Sequence, residues 1–112
     1  RLNQKFRTND VIVFEKNGKE YVGRIVADGG DSVEITEDAY LRVNGSTVVE
    51  SDIYYSTPRY GEEVEYPVEL EETQYFILCD YREGARDSRY FGPVKQSEIK
   101  GKVITILRRS NL

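Results

Sequence analysis

Two carboxylates, Asp80 and Asp87, follow the apolar run at 75–79 and could in principle form an aspartic dyad. The chain has no histidine and one cysteine, so acid–base chemistry near neutral pH falls to carboxylates, lysines and tyrosines. An aspartic dyad needs its carboxyl groups about 3 Å apart with no cation between them. The nearby basic residues argue against a dyad, and they are Arg82, Arg86 and Arg89.

Metal and thiol chemistry have little support in the sequence. The absence of histidine removes the commonest zinc ligand. Asp28 and Asp31 flank a Gly-Gly pair that predicts a turn, and a calcium loop would need six or more oxygen ligands at set offsets. Cys79 ends an apolar run and is expected to be a small buried residue, with a reactive thiol as the alternative. We therefore expect no metal ion and no cofactor.

Length and charge predict one domain that does not bind nucleic acid. A chain of 112 residues buries roughly two thirds of its unfolded surface, which allows a modest core. The net charge of -4, from 20 acidic and 16 basic residues, disfavours binding by counterion release and leaves no polybasic membrane patch. The sequence has no apolar run of about 18 residues and no signal-peptide pattern. Residues 1–112 are expected to form a single β domain.

Short runs rich in valine, isoleucine, tyrosine and threonine recur along the chain and predict an all-β fold built from hairpins. Asn44-Gly45 and Asn17-Gly18 supply the positive φ values that tight hairpin turns require. The predicted strands are residues 11–14, 20–27, 32–36, 40–43, 47–50, 65–68, 75–79 and 102–107.

Two segments depart from the strand pattern. Residues 93–99 (PVKQSEI) predict one short helical turn near the C-terminus, with Val94 and Ile99 turned inward and Gly101 at its end. Residues 61–72 carry six glutamates and no basic residue. This composition predicts a solvated excursion, with a site for a basic partner as the alternative.

The segment 75–92 carries the most specific motif of the chain. It reads YFILCDYREGARDSRYFG and resembles the last sequence box of the type I signal peptidase family, F-V-L-G-D-N-R-x-x-S-x-D-S-R-x-F-G. Cys79 replaces a glycine of that box, Tyr81 an asparagine and Ala85 a serine. The residues in register are Asp80, Arg82, Asp87, Ser88, Arg89, Phe91 and Gly92.

The same resemblance continues upstream. Residues 7–14 (RTNDVIVF) resemble the family's R-G-D-V-V-V-F box, with Asn9 in place of its glycine. Residues 22–35 (VGRIVADGGDSVEI) resemble the box V-K-R-V-I-G-L-P-G-D-x-V-x-I. The position that holds a lysine in the family is Gly23 here.

The resemblance implies a signal-peptidase-like coiled β-sheet domain. In this family the lysine is the general base for a serine nucleophile, and a serine of the last box helps to orient it. Those positions are Gly23 and Ala85 here, so the resemblance implies a domain without catalytic residues. We expect Cys79 to fill part of the space opposite Gly23. The residues expected to form a structural loop at the former site are Cys79, Asp80, Arg82, Asp87, Ser88 and Arg89.

The resemblance also implies parts outside this sequence. A membrane helix and the segment bearing the nucleophile are expected before Arg1, which would place the domain at the extracytoplasmic face of the cell membrane. A glycine at the lysine position resembles the SipA-type proteins of Gram-positive pilus operons, which are required for pilus polymerisation. The resemblance therefore implies a non-catalytic chaperone or assembly factor. Its partner would be an extended peptide of a pilin subunit or of a sortase-pathway protein.

Other functions stay open. One alternative is an active type I signal peptidase whose nucleophile lies upstream. Another is a self-cleaving repressor of the related serine/lysine class, which would need an internal cleavage site and a DNA-binding partner domain. Tyrosines in and near the acidic segment could form an interface or occupy ordinary strand positions. They are Tyr54, Tyr55, Tyr60 and Tyr66.

Overall fold

The backbone forms two antiparallel β-sheets. A computed structural model of the chain describes residues 5–49, 56–60, 63–82 and 84–104. Within these residues there is one short α-helix, α1 (Ser88–Phe91), and one 3₁₀ turn at Gln96–Glu98. The strands are β1 (Val11–Lys16), β2 (Lys19–Ala27), β3 (Ser32–Ile35), β4 (Leu41–Val43), β5 (Ser46–Thr47), β6 (Val68–Glu69), β7 (Gln74–Leu78), β8 (Val94–Lys95) and β9 (Ile99–Lys102).

The first sheet has five strands in the order β8-β7-β2-β1-β9, and the second has four in the order β5-β4-β3-β6. Every pairing in both sheets is antiparallel. Strand β2 lies at the centre of the first sheet, where β1 and β7 flank it. The all-β prediction is therefore confirmed.

The two Asn-Gly turns form as predicted. Asn17 and Gly18 have φ values of 54° and 81°, and Asn44 and Gly45 have φ values of 53° and 86°. Positive φ at both central residues is the geometry that matches the twist of a tight hairpin, and asparagine and glycine are the residues that adopt it most readily. These turns fix the registers of the β1–β2 and β4–β5 hairpins.

Strand β7 contributes to two separate hydrophobic cores. Phe76 and Leu78 pack in the core of the second sheet, with residues such as Val33 of β3. Tyr75 and Ile77 pack in the other core. Side chains alternate between the faces of a strand, so a strand buried on both faces reads as a continuous apolar run. That explains the run at 75–79.

The helical turn predicted for residues 93–99 starts later and is shorter. Val94 begins β8, which pairs with β7 before the 3₁₀ turn at Gln96–Glu98. Val94 is fully buried and Ile99 packs against the same core, as expected. Gly101 does not end the turn, because it lies within β9 opposite Val13. A two-residue strand is too short to show the period-2 pattern that identifies strands in a sequence.

Several predicted bounds also differ. Of the strand predicted at 65–68 only its last residue is in β6, the strand predicted at 47–50 reduces to β5, and the last strand ends at Lys102. Residues 50 and 105–107 of these predictions lie outside the described part of the chain. Helix α1 was not predicted. None of the helices in the described ranges is long and apolar enough to cross a membrane.

Candidate functional site

Gly23 lies in β2 opposite Ile12. A side chain at this position would point towards Ile77 in the core of the first sheet. A Cβ atom built on Gly23 would lie 2.5 Å from Cγ2 of Ile77 and 3.4 Å from the carbonyl oxygen of Leu78. Favourable contacts between carbon atoms occur at about 3.5–4.0 Å. Ile77 is fully buried, and its β-branched side chain is stiff. The side chain of Ile77 therefore obstructs any side chain at position 23 in this conformation.

Cys79 does not fill the space opposite Gly23, contrary to our expectation. The three atoms closest to that space belong to Ile77 and Leu78. The thiol of Cys79 instead donates to the carbonyl oxygen of Val22, with Sγ and O 3.3 Å apart. Cys79 is half-buried, and burial raises the pKa of its thiol. Raising this pKa lowers the fraction of reactive thiolate.

A buried ion pair between Asp87 and Arg89 organises the loop after β7. Both side chains are 0% exposed, and Nη2 of Arg89 lies 2.8 Å from Oδ2 of Asp87. Nε of Arg89 donates to the other carboxylate oxygen at 3.0 Å, so the contact is bidentate. The same carboxylate accepts from the backbone N–H of Arg89, which caps α1, and from the N–H of Cys79. These donors replace the water that the carboxylate loses on burial.

A second buried arginine completes this network. Nε of Arg82 donates to the carbonyl oxygen of Cys79 at 2.6 Å, and Nη1 donates to Oγ1 of Thr57 at 2.9 Å. Nη1 of Arg89 donates to the carbonyl oxygens of Arg82 and Pro58. Cys79 is thus held through both its N–H and its C=O. Both arginines thus bond to backbone carbonyl oxygens, and a structural loop at a former catalytic site stays a prediction.

Asp80 and Asp87 belong to different ion pairs and do not form a dyad. Arg24 binds Asp80 through two hydrogen bonds, Nε to Oδ1 at 3.0 Å and Nη2 to Oδ2 at 2.9 Å. The hydrogen bonds from Arg24 hold the pKa of Asp80 below its usual value. Each carboxylate pairs with its own arginine, so the two carboxylates do not share a proton as an aspartic dyad does.

Ser88 and Ala85 have structural contacts. The buried hydroxyl of Ser88 accepts a hydrogen bond from the N–H of Ile77 at 2.9 Å. The carbonyl oxygen of Ala85 accepts one from the hydroxyl of Tyr60 at 2.5 Å. Ser88 thereby ties α1 to β7, and Tyr60 ties an earlier segment to the site loop.

The tyrosines predicted as an interface divide into described and undescribed positions. Tyr54 and Tyr55 lie outside the described residues. Tyr60 packs against Arg89, whose guanidinium carbon lies 4.3 Å from the ring centroid. Tyr66 packs on Phe76 and under Arg59. Both described tyrosines are partly buried inside the domain, and their role in an interface stays a prediction.

One edge of β2 is open beside Gly23. Strand β7 pairs with β2 only from Arg24 onward, and no other strand of the described chain covers this edge before that residue. Backbone groups alternate in direction along a strand. Because Ile25 bonds on the side of β1, the N–H and C=O groups of Glu20 and Val22 point to this edge, where the carbonyl oxygen of Val22 already accepts from the thiol of Cys79. An extended chain could add a strand there.

Comparisons with known proteins decide the family. The family model described as "Signal peptidase, peptidase S26" matches residues 2–107. The chain belongs to the signal peptidase S26 family.

Relatives and a solved structure agree with this assignment. Signal peptidase IB of Staphylococcus aureus is 30% identical over 109 residues, covering 84% of this chain and 56% of the relative. Signal peptidase I of Bacillus caldolyticus is 37% identical over 108 residues, covering 87% and 59%. The chain thus spans little more than half the length of these curated relatives. A crystal structure of a signal peptidase I from Enterococcus faecalis V583 superposes with a TM-score of 0.70 and 28% identity, covering 90% of this chain and 98% of that one.

Two contacts of the candidate site, those of Ile77 and Tyr60, were not predicted from the sequence. Ile77 looks like any other apolar strand residue, and only the backbone spacing between β2 and β7 shows that its methyl group lies against Gly23. Tyr60 lies outside the family boxes, so no motif marks its contact with Ala85. Both contacts join segments distant in sequence, and a local pattern cannot reveal them.

Removing the charge of Asp87 is expected to destabilise the domain strongly. Asp87→Asn leaves Arg89 buried without its counterion, which costs about 3–5 kcal/mol of unfolding free energy. Asp80→Asn is the matched control, since its bidentate arginine pair is 36% and 50% exposed and such pairs contribute about 0–1 kcal/mol. Urea denaturation of both variants measures the difference. Equal losses would contradict the assigned importance of burial.

Tyr66 is expected to make the fold weaker at high pH. Among the described residues its hydroxyl is the buried side-chain polar atom without a hydrogen-bond partner, and burial raises its pKa from 10.0 to about 12. The unfolded chain therefore loses this proton first as pH rises, so stability present below pH 10 declines between pH 10 and about 12. Tyr66→Phe should flatten that decline in urea denaturation and leave stability at pH 7 unchanged or higher. If Tyr66→Phe were less stable than the wild type at pH 7, the conclusion that the Tyr66 hydroxyl has no partner would be wrong.

Proposed function

We propose that this chain is a non-catalytic member of the signal peptidase family that holds an extended peptide without cutting it. The observation that carries the proposal is the crowding at Gly23. In the family that the sequence resembles, this position carries the general base. Here a methyl group of Ile77 lies 2.5 Å from the point where a side chain would begin. A serine hydroxyl attacks a peptide carbonyl efficiently only when a base accepts its proton. Loss of a positioned base lowers rates by about 10²- to 10⁴-fold.

Three of the six lysines in the described residues pair with carboxylates. Lys16 lies 2.9 Å from a carboxylate oxygen of Glu98. Two lysines of β9 likewise contact carboxylates, at 2.9 Å and 3.2 Å. A lysine that acts as a base near neutral pH needs a dry environment that destabilises its ammonium form. Ion pairs with carboxylates do the opposite, which argues against these three lysines as substitute bases.

Peptide binding is supported by the open edge of β2. Strand addition uses backbone hydrogen bonds for affinity and does not depend on a catalytic base. The backbone groups of Glu20 and Val22 that face this edge lie directly before Gly23 in the chain. The edge is held in place by the network that fixes Cys79, because the Cys79 thiol donates to the carbonyl oxygen of Val22.

We infer the identity of the bound peptide from the sequence resemblance to SipA-type proteins. We propose an extended segment of a pilin subunit or of a sortase-pathway protein as the bound peptide, and assistance of pilus polymerisation as the result. Signal peptidases are membrane-associated, and we propose the extracytoplasmic face of the cell membrane as the place of action.

An active signal peptidase is the second candidate. It is favoured by the names of the relatives, which are signal peptidases, and by the intact ion pair between Asp87 and Arg89. This candidate requires a base that reaches the nucleophile from a position other than Gly23. Cleavage and binding can be measured in one experiment, which separates the two functions.

We expect the complete gene product to bind a fluorescein-labelled peptide spanning the signal-peptide junction of a pilin precursor and to leave it intact. Fluorescence anisotropy measures binding, and mass spectrometry of the same samples measures cleavage. Alkylation of Cys79 provides a second binding readout, since a peptide on the β2 edge should slow the labelling of this cysteine. An active signal peptidase, such as the Bacillus caldolyticus relative, is the positive control for cleavage. Cleavage at a comparable rate would establish the second candidate, and absence of binding would refute peptide holding.

Because position 23 is crowded, we expect alanine to destabilise the domain more at Gly23 than at Gly101, a second glycine in a strand. Gly23→Ala pushes a methyl group into Ile77 and should cost about 1–3 kcal/mol of unfolding free energy. Gly101→Ala is the matched control, because nothing lies within 4 Å of its built Cβ, and it should change stability by less than about 0.5 kcal/mol. Urea denaturation of both variants tests this.

A double-mutant cycle with Ile77→Ala then assigns the clash. The double variant should be less destabilised than the sum of the two single variants by about 1 kcal/mol or more, because removing the Ile77 methyl group makes room for the one added at position 23. Strict additivity would show that Ile77 is not the residue that closes the space.

A further inference from the structure

Residues 56–60, here called the strap, are anchored to the second sheet on one side. The N–H of Thr57 donates to the carbonyl oxygen of Ala39 at 2.9 Å. Nε of Arg59 donates to the carbonyl oxygen of Ile35 in β3 at 2.6 Å. The strap therefore has a fixed position relative to β3 and to the loop that follows it.

On its other side the strap contacts the site loop, residues 84–89. Oγ1 of Thr57 accepts from Arg82, which leads into this loop, and the carbonyl oxygen of Pro58 accepts from Arg89. The contacts of Tyr60 are more extensive. Its ring lies under the guanidinium of Arg89, at 4.3 Å from centroid to carbon. Such a contact stabilises a buried cation without competing for its hydrogen bonds.

The hydroxyl of Tyr60 uses both of its hydrogen-bonding capacities on the site loop. It accepts from the N–H of Gly84 at 3.2 Å and donates to the carbonyl oxygen of Ala85 at 2.5 Å. Burial raises the pKa of Tyr60 above its ordinary value, so the hydroxyl keeps its proton for donation at neutral pH. Gly84 has a φ of 108°, a conformation that few residues other than glycine adopt. Tyr60 thus holds the loop at a point of unusual backbone geometry.

A chain of contacts leads from Tyr60 to the edge of β2. Arg89, which stacks on Tyr60, pairs with Asp87. Asp87 accepts from the N–H of Cys79, and the thiol of Cys79 donates to the carbonyl oxygen of Val22. Each of these contacts is direct. Loosening the loop at Ala85 therefore changes the surroundings of Cys79 and of the peptide-binding edge.

We propose that Tyr60 is a positioning residue of the site, whose hydroxyl, supplied by the strap, fixes the loop at Ala85 and through it the edge of β2. The effect on peptide binding rests on the function proposed above, whereas the effect on the loop does not. The hydroxyl of Tyr60 thereby bonds to the backbone of Ala85, the position at which the last box of the family has a serine.

Tyr60→Phe tests the proposal, because it removes the hydroxyl and keeps the ring under Arg89. We expect the Gly84 amide to exchange about tenfold faster in hydrogen-exchange NMR, Cys79 to be alkylated several-fold faster, and the dissociation constant of the fluorescein-labelled pilin-precursor peptide to rise about tenfold. Tyr66→Phe is the matched control, since its hydroxyl has no partner among the described residues. It should change none of the three measurements.

A second control separates positioning from general stability. Val68→Ala weakens the core of the second sheet at β6, which pairs with β3, so Gly84 exchange and Cys79 alkylation should stay at wild-type values while the chain is folded. Unchanged Gly84 exchange in Tyr60→Phe would overturn the proposal, as would faster exchange with unchanged peptide affinity. If the wild-type protein binds no peptide, the function proposed above fails. The exchange and alkylation rates then decide the role of Tyr60 alone.

Discussion

The buried ion pair between Asp87 and Arg89 is the interaction on which the site depends. Two charges without solvent exposure persist only when each is fully compensated, and here the carboxylate accepts from the Arg89 side chain, the Arg89 N–H and the Cys79 N–H. The pair therefore dictates the course of the chain from the end of β7 to α1. The position of every candidate site residue in that segment follows from it.

The loop after β7 is held by many contacts, whereas the space beside Gly23 is closed by a neighbouring side chain. The arginine–carboxylate network and the Ser88 contact with β7 remain. At position 23 the strands come so close that Ile77 occupies the space of a side chain. The shape of the site loop depends on contacts to β7 and to the strap, and not on a side chain at position 23.

Sequence reasoning recovered features whose cause is local. Asn-Gly pairs predicted two turns, and short runs rich in valine, isoleucine, tyrosine and threonine predicted most strands. Asn9, which replaces a glycine of the family box, has a φ of 81°, a value that asparagine tolerates better than most residues. Helix α1 was missed although Asp87 is a good N-cap, because four residues give no helical period. The contacts of Ile77 and Tyr60 were missed because they depend on how distant segments meet.

Strand β7 places its alternate side chains in two different cores, and this has a consequence for how the domain melts. Neither sheet can lose its packing while the other stays intact, since detaching β7 from one core strips it from both. The domain is therefore expected to unfold as one cooperative unit, without a partly folded species in which a single sheet survives.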